Sequence, residues 1–232
     1  MNIVVLGMHR SGTSLLIGLL ELHGFQLGEV SHQTSKLKPT GTKENLAIRS
    51  INNQILDVTN SDWKFPKLPI SLNESLISKI KSQAYELSKL KNWALKDPRM
   101  VFTYPVWQNY IDNHKIIGTI RKPLDVAQSM KKKNNIELNE GMEIWYRYNL
   151  QLLDLWEQHK FPLVIFGIDK ESYFSQVRDA FKYFNINFNP QKSDRFYQHH
   201  NKDSKLNVNI PDYIQALYKR LMMIATQESL RF

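Results

Sequence analysis

Gly7-Met8-His9-Arg10-Ser11-Gly12-Thr13-Ser14 is the stretch on which the fold turns. Two glycines separated by four residues, with a hydroxyl residue closing the run, have the spacing of a phosphate-binding loop. The lysine that such a loop carries in nucleotide triphosphatases is replaced by Thr13, and the cation sits inside the loop instead, at Arg10. A loop of this kind suits a phosphate-like anion held without the usual grip on a β/γ-phosphate pair, which points away from ATP chemistry. The flanks agree with the motif. Asn2-Ile3-Val4-Val5-Leu6 is a short apolar run suited to a buried parallel strand. Leu15 to Leu22 continues as an apolar helix closed by His23 and Gly24. Strand, glycine-bounded turn and helix N-terminus together leave backbone N–H groups and the positive dipole end for an anion.

Working outward, the same alternation repeats. Trp93-Ala94-Leu95 predicts a short strand that Pro98 helps to end. Lys115 to Ile120 predicts a stronger strand followed by a helix from Pro123, and Leu163 to Phe166 a further strand. Helices are expected from about Lys43 to Asp57, Asn73 to Leu90 and Glu140 to His159, and near 170–184 and 211–228. Residues 25–42 and 60–72 read as irregular, the first as a loop able to frame an acceptor site. Strands alternating with helices imply an α/β chain: a three-layer P-loop NTPase-like fold, its mostly parallel central sheet flanked by helices, in a single domain over residues 1–232. Ligands of such a sheet lie at the carboxyl ends of its strands. Arg10, Lys96 and Arg121 each follow a strand, so three cations are expected to converge there.

Composition narrows the partners. Lys and Arg number 31 against 22 Asp and Glu, a net charge of +9, so anionic partners are expected. Lys131-Lys132-Lys133 reads as solvated charge near a helix C-terminus, and no nucleic-acid-binding signature accompanies it. An anionic small cofactor accounts for the charge with fewer assumptions than nucleic acid. The absence of cysteine excludes disulfides and thiolate metal sites, and the 7 histidines show no ligand spacing, so no metal is expected. No apolar run approaches the roughly 18 residues of a membrane span. With the first strand starting at Asn2, there is no room for a signal peptide, and a cytoplasmic location is expected.

A second anion site begins at a strand end, in Arg121-Lys122-Pro123-Leu124-Asp125-Val126-Ala127-Gln128-Ser129. Pro123 suits the first turn of a helix and Asp125 its positive end. Arg121 can present a bidentate fork to a phosphate, with Ser129 adding a hydroxyl. The two segments together resemble the signature pair of the sulfotransferases that use 3′-phosphoadenosine 5′-phosphosulfate (PAPS), most similarly the bacterial and glycan-type members. The resemblance implies that Arg10, Ser11, Gly12, Thr13 and Ser14 hold the 5′-phosphosulfate, with His9 near the sulfuryl group or acceptor, and that Arg121 and Ser129 hold the 3′-phosphate. Trp93-Ala94-Leu95-Lys96-Asp97-Pro98-Arg99 resembles a W-x-x-K-D-P-R segment of bacterial members, and Phe196-Tyr197-Gln198-His199-His200 their C-terminal aromatic-His-His region. Arg10 stands where many members have lysine. The acceptor implied is a hydroxyl, with a carbohydrate as the expected class.

Sulfuryl transfer needs an acceptor proton removed, cations on the transferring group, and an in-line arrangement. Glu44 continues the apolar stripe of Ile48, Ile51 and Ile55 at helical spacing, which turns a carboxylate toward the cleft. It matches the glutamate base of glycan and tyrosyl-protein sulfotransferases; the alternative is an acid placed in a first helical turn for its dipole. Lys96 resembles the lysine that sits by the sulfuryl bridge, and so joins Glu44 and Arg10 as a candidate for the chemistry. Asp97 and Arg99 read as a structural pair, and Trp145, Tyr146 and Tyr148 as core. His199 and His200 have helix-end, packing and ligand roles open to them. Lys202 and Lys205 are candidates to close over the nucleotide, or simply solvated charges. Two other readings stand beside sulfuryl transfer: a phosphotransferase or kinase of the same fold, disfavoured by Thr13, and a non-catalytic nucleotide-binding protein.

Overall fold

Ile3 to Leu6 are all fully buried, because β1 (Asn2–Leu6) is a central strand with a helical layer against each face. The structure is a computed structural model describing residues 1–30, 41–67, 71–196 and 208–228. After β1 come α1 (Thr13–Leu22), α2 (Leu46–Val58), α3 (Glu74–Ser88), β2 (Ala94–Lys96) and α4 (Met100–Trp107). Then follow β3 (His114–Arg121), α5 (Pro123–Asn134), α6 (Leu138–His159), β4 (Leu163–Phe166), α7 (Lys170–Tyr183), α8 (Pro190–Phe196) and α9 (Asp212–Glu228).

The sheet has the order β2-β1-β3-β4, and every pairing among these strands is parallel. Side chains alternate across it with the period of two that strands impose. Val4, Leu6, Leu95, Ile116, Ile120 and Ile165 face one layer, which draws on α2 to α6 and α9. Ile3, Val5, Ala94, Ile117 and Val164 face the other, which is built on α1 and α7. The chain is thus the three-layer α/β fold its sequence implies. No helix among the described residues is long and apolar enough to cross a membrane.

Several boundaries differ from the sequence reading, each for a local reason. α2 starts at Leu46 rather than near Lys43, because the Asn45 side chain caps it by accepting from the Ile48 N–H at 3.1 Å. Lys43 is in the left-handed region at φ 53°, so Glu44 lies just before the helix and not in its first turn. α4 was not foreseen from sequence. It is buried on nearly every side and contains Pro105, so it shows no amphipathic period to read. Its Thr103 hydroxyl and Trp107 indole both donate to Asn52 Oδ1, at 2.8 and 2.7 Å, which ties α4 to α2. Trp145 and Tyr148 are core residues as expected, while Tyr146 packs edge-on against Tyr213. Tyr197, Gln198, His199, His200, Lys202 and Lys205 lie outside the described residues.

Candidate active site

The loop between β1 and α1 owes its shape to its glycines. Gly12 caps α1 at φ 85°, and a Cβ there would lie 2.3 Å from the Phe166 ring. At Gly7 a Cβ would meet Thr119 backbone and side chain at 2.7 Å. Larger residues would therefore push the loop off the sheet. Leu15 and Leu16 are the N–H groups that bond to Gly12 O, at 3.0 and 3.1 Å. The amides ahead of them, at Thr13 and Ser14, remain at the positive end of α1, which carries no acidic residue in its first turn. Ser11 is fully buried and its carbonyl accepts from Thr119 Oγ1 at 2.7 Å, so it fastens the loop to β3 from beneath. Unlike the rest of the loop from His9 to Ser14, it does not line the cleft above.

Two guanidinium groups meet over this loop. Arg10, at φ 68°, donates through Nε to Ser129 Oγ at 2.7 Å. Arg121, the last residue of β3, donates through Nη1 to the Arg10 carbonyl at 3.2 Å. Arg121 Nε lies 3.9 Å from Asp125 Oδ2 and has no hydrogen-bond partner among the described residues. The Arg121 guanidinium also sits 5.2 Å from the centre of the Phe166 ring. Burial holds Arg10 below the usual guanidinium range, and neighbouring Arg121 pushes it the same way. Burial also lowers Arg121, with Asp125 opposing. Two partly desolvated cations of like sign form a site that an anion would relieve.

Beside them stands an acid–base pair. Lys96 ends β2, is buried, and donates to Glu44 Oε1 at 3.0 Å, although 52 residues separate the two in sequence. Behind the pair, Asp97 is fully buried and takes Arg99 in a fork, Nη1 to Oδ1 at 3.0 Å and to Oδ2 at 3.1 Å. Burial, reinforced by Glu44, raises Asp97 above the ordinary carboxylate range despite the Arg99 charge. Asp97 also accepts from the Arg99 N–H at 2.8 Å and so shapes the turn into α4, a structural duty.

These groups line one cleft of about 540 Å³ at the carboxyl edge of the sheet: His9, Arg10, Gly12, Thr13, Ser14, Glu44, Lys96, Arg121 and Ser129. The cleft also includes residues that sequence reasoning did not mark as site residues. Phe166 supports both Gly12 and Arg121, and Trp63 meets His9 edge-on at 4.8 Å. Lys132 and Lys133 reach it from the last turn of α5, whereas Lys131 turns to Glu137 at 2.9 Å. Lys133 was findable: it lies four residues after Ser129, on the same helical face. Trp63 comes from an irregular stretch that carries no periodic signal. Among the described residues no group of three or more His, Cys, Asp or Glu is placed to hold a metal ion.

No protein-family model matches the sequence, and no curated protein matches it either. Solved structures do. A sulfotransferase domain from the curacin biosynthetic pathway superposes with a TM-score of 0.53 at 16% identity, over 95% of this chain and 96% of that one. A sulfotransferase domain from the Synechococcus PCC 7002 olefin synthase does so with a TM-score of 0.53 at 16% identity, over 100% and 94%. The fold is of the sulfotransferase type.

Proposed function

We propose that this chain, built on a sulfotransferase-type fold, transfers a sulfuryl group from PAPS to an acceptor hydroxyl. The observation that carries the reading is that Arg10 and Arg121, two partly desolvated cations, converge on one cleft beside the buried Glu44–Lys96 pair. The site fits a donor phosphorylated at both ends: Arg121 Nε is buried without a hydrogen-bond partner among the described residues, and the Gly12 cradle has room for backbone only.

In this reading Arg10, Gly12, Thr13 and Ser14 hold the phosphosulfate, while Arg121 and Ser129 hold the 3′-phosphate. Ser11 contributes through the backbone of the loop, since its buried side chain does not line the cleft. His9, held against Trp63, borders the reacting end. The donor, when bound, supplies the sulfuryl group on a phosphate leaving group. Glu44 accepts the proton of the acceptor hydroxyl, and Lys96, adjacent to it, balances the negative charge that develops on the neighbouring oxygens. Arg10 serves both binding and charge balance. Trp63 offers a half-buried ring in the cleft wall for a carbohydrate acceptor.

Thermal unfolding with and without nucleotide tests the reading. At a concentration about 100 times its Kd, 3′-phosphoadenosine 5′-phosphate should stabilise the fold by about 2.7 kcal/mol, and ATP with magnesium should not. Stabilisation by ATP alone refutes the reading. Transfer of radiolabelled sulfate from PAPS to a hydroxyl panel then separates an enzyme from a non-catalytic binder.

A further inference from the structure

Asp125, Ser129, Lys132 and Lys133 recur on α5 at helical spacing and all face the cleft. The first two have partners at the donor end: Asp125 lies beside Arg121, and Ser129 accepts from Arg10. Lys133 sits about 6 Å of helix rise beyond Ser129, and about 15 Å beyond the start of α5 beside Arg121. It lies one turn from Ser129, itself assigned to the 3′-phosphate, and lines the same cleft as Glu44 and Lys96 at the reacting end. The charges around it say the same. Burial and the repulsion of Arg10 and Lys96 lower Lys133, while the attraction of Glu44 opposes them. All three residues belong to the proposed transfer chemistry. Two of the cations nearby have fixed counter-charges, Lys96 with Glu44 and Arg99 with Asp97, and Arg10 is left to the donor. Lys132 and Lys133 therefore add further positive charge to the cleft that holds Glu44.

Resting on the sulfotransferase reading, we infer that Lys133, supported by Lys132, selects acceptors that carry a carboxylate or phosphate group close to the hydroxyl to be sulfated. An acidic sugar satisfies both this requirement and the carbohydrate expectation. An anion here lowers the repulsion among Arg10, Lys96 and Lys133, and it orients the hydroxyl toward Glu44 by fixing the acceptor at a second point. Both lysines are solvent-exposed, so their substitution does not threaten folding.

The test uses matched probes: glucuronate with glucose, mandelate with its methyl ester, and glycerol 2-phosphate with glycerol. Sulfate transfer to each is measured with the wild-type chain, Lys133→Gln and Lys133→Glu, alongside the Kd of each for 3′-phosphoadenosine 5′-phosphate. The charged member of a pair is expected to be preferred, and that preference to weaken as salt rises. Lys133→Gln should cut the charged-over-neutral ratio of kcat/KM about threefold to fivefold, the scale of one accessible ion pair, and Lys133→Glu should invert it. Nucleotide affinity should hold in Lys133→Gln. Equal or better use of neutral probes, no transfer to any charged probe, or a ratio unmoved by Lys133→Gln overturns the inference. So does a fall in nucleotide affinity that accounts for the lost activity, since it assigns Lys133 to the donor. A wild-type chain that does not bind the nucleotide at all refutes the sulfotransferase reading itself, and is distinguished from these outcomes by that binding step.

Discussion

Glu44→Gln separates the structural duty of the Glu44–Lys96 pair from its proposed chemical one. The side chains are 10% and 1% exposed, so the ion pair at 3.0 Å is close to fully desolvated. Removing one partner of a buried pair costs about 3–5 kcal/mol, because the other charge is left uncompensated. Glutamine still offers a carbonyl oxygen to the Lys96 ammonium, and loss of Glu44 relieves its repulsion of Asp97, so the low end applies, about 3 kcal/mol. For a chain of this size that lowers Tm by about 6–12 °C. Turnover should fall by about 10² or more, the usual loss for an absent general base, with the affinity for 3′-phosphoadenosine 5′-phosphate retained. Differential scanning calorimetry, nucleotide titration and radiolabelled single-turnover transfer give the three numbers. The double variant Glu44→Gln/Lys96→Met supplies the control. With both charges gone, much of the stability should return while activity stays lost. Turnover in Glu44→Gln within about threefold of wild type, measured below its lowered Tm, refutes Glu44 as the base. An unchanged Tm refutes the buried pair.

Gly12→Ala must bring a Cβ to 2.3 Å from Phe166 at φ 85°, so calorimetry should show destabilisation, and nucleotide titration a loss of affinity beyond that of a surface substitution. Ser129→Ala removes the acceptor for Arg10 Nε; the fold should persist while nucleotide affinity falls about tenfold or more, the scale of a hydrogen bond to a charged group. The Tyr104–His114 hydrogen bond of 2.8 Å predicts the pH dependence of folding. Burial lowers the folded His114 below its ordinary value, so the unfolded chain binds the proton more readily and stability is lost as pH falls below about 6.5. Burial raises Tyr104 to about 12, so its contribution is whole below about pH 10 and lost as pH climbs toward the folded value. Urea titrations across pH should show both flanks, with Tyr104→Phe reducing the alkaline one, to which burial of Tyr148 and Tyr218 contributes in the same direction.

Elements whose cause is local were legible in the sequence. The glycine loop could be read because Gly7 and Gly12 are required by close approach and positive φ, constraints that few other residues satisfy. The strands could be read because each is a short apolar run buried on both faces. α2 was misplaced at its start because Glu44 continues its apolar stripe, yet Asn45 is the cap, so the helix starts only at Leu46. α4 escaped notice because burial on all sides erases periodicity. The three lysines on α5 are indistinguishable as a run, and only the helix's orientation sends Lys131 to Glu137 and its neighbours to the cleft. Ser11, placed by motif among the donor contacts, is fully buried, and its carbonyl ties the loop to β3, a contact that only the tertiary structure supplies.

What the sequence determined alone was the α/β architecture and a glycine-bounded loop at its first turn, since both follow from hydrogen-bonding patterns and periodicities that a short segment settles for itself. What only the tertiary structure decided was which charges meet. Arg10 and Ser129, 119 residues apart, share a hydrogen bond, as do Glu44 and Lys96, 52 residues apart. Those encounters depend on the order β2-β1-β3-β4, which brings the carboxyl ends of β1, β2 and β3 side by side. That order comes from burying two faces of one sheet at once, a condition that the whole chain satisfies and no single stretch of it contains.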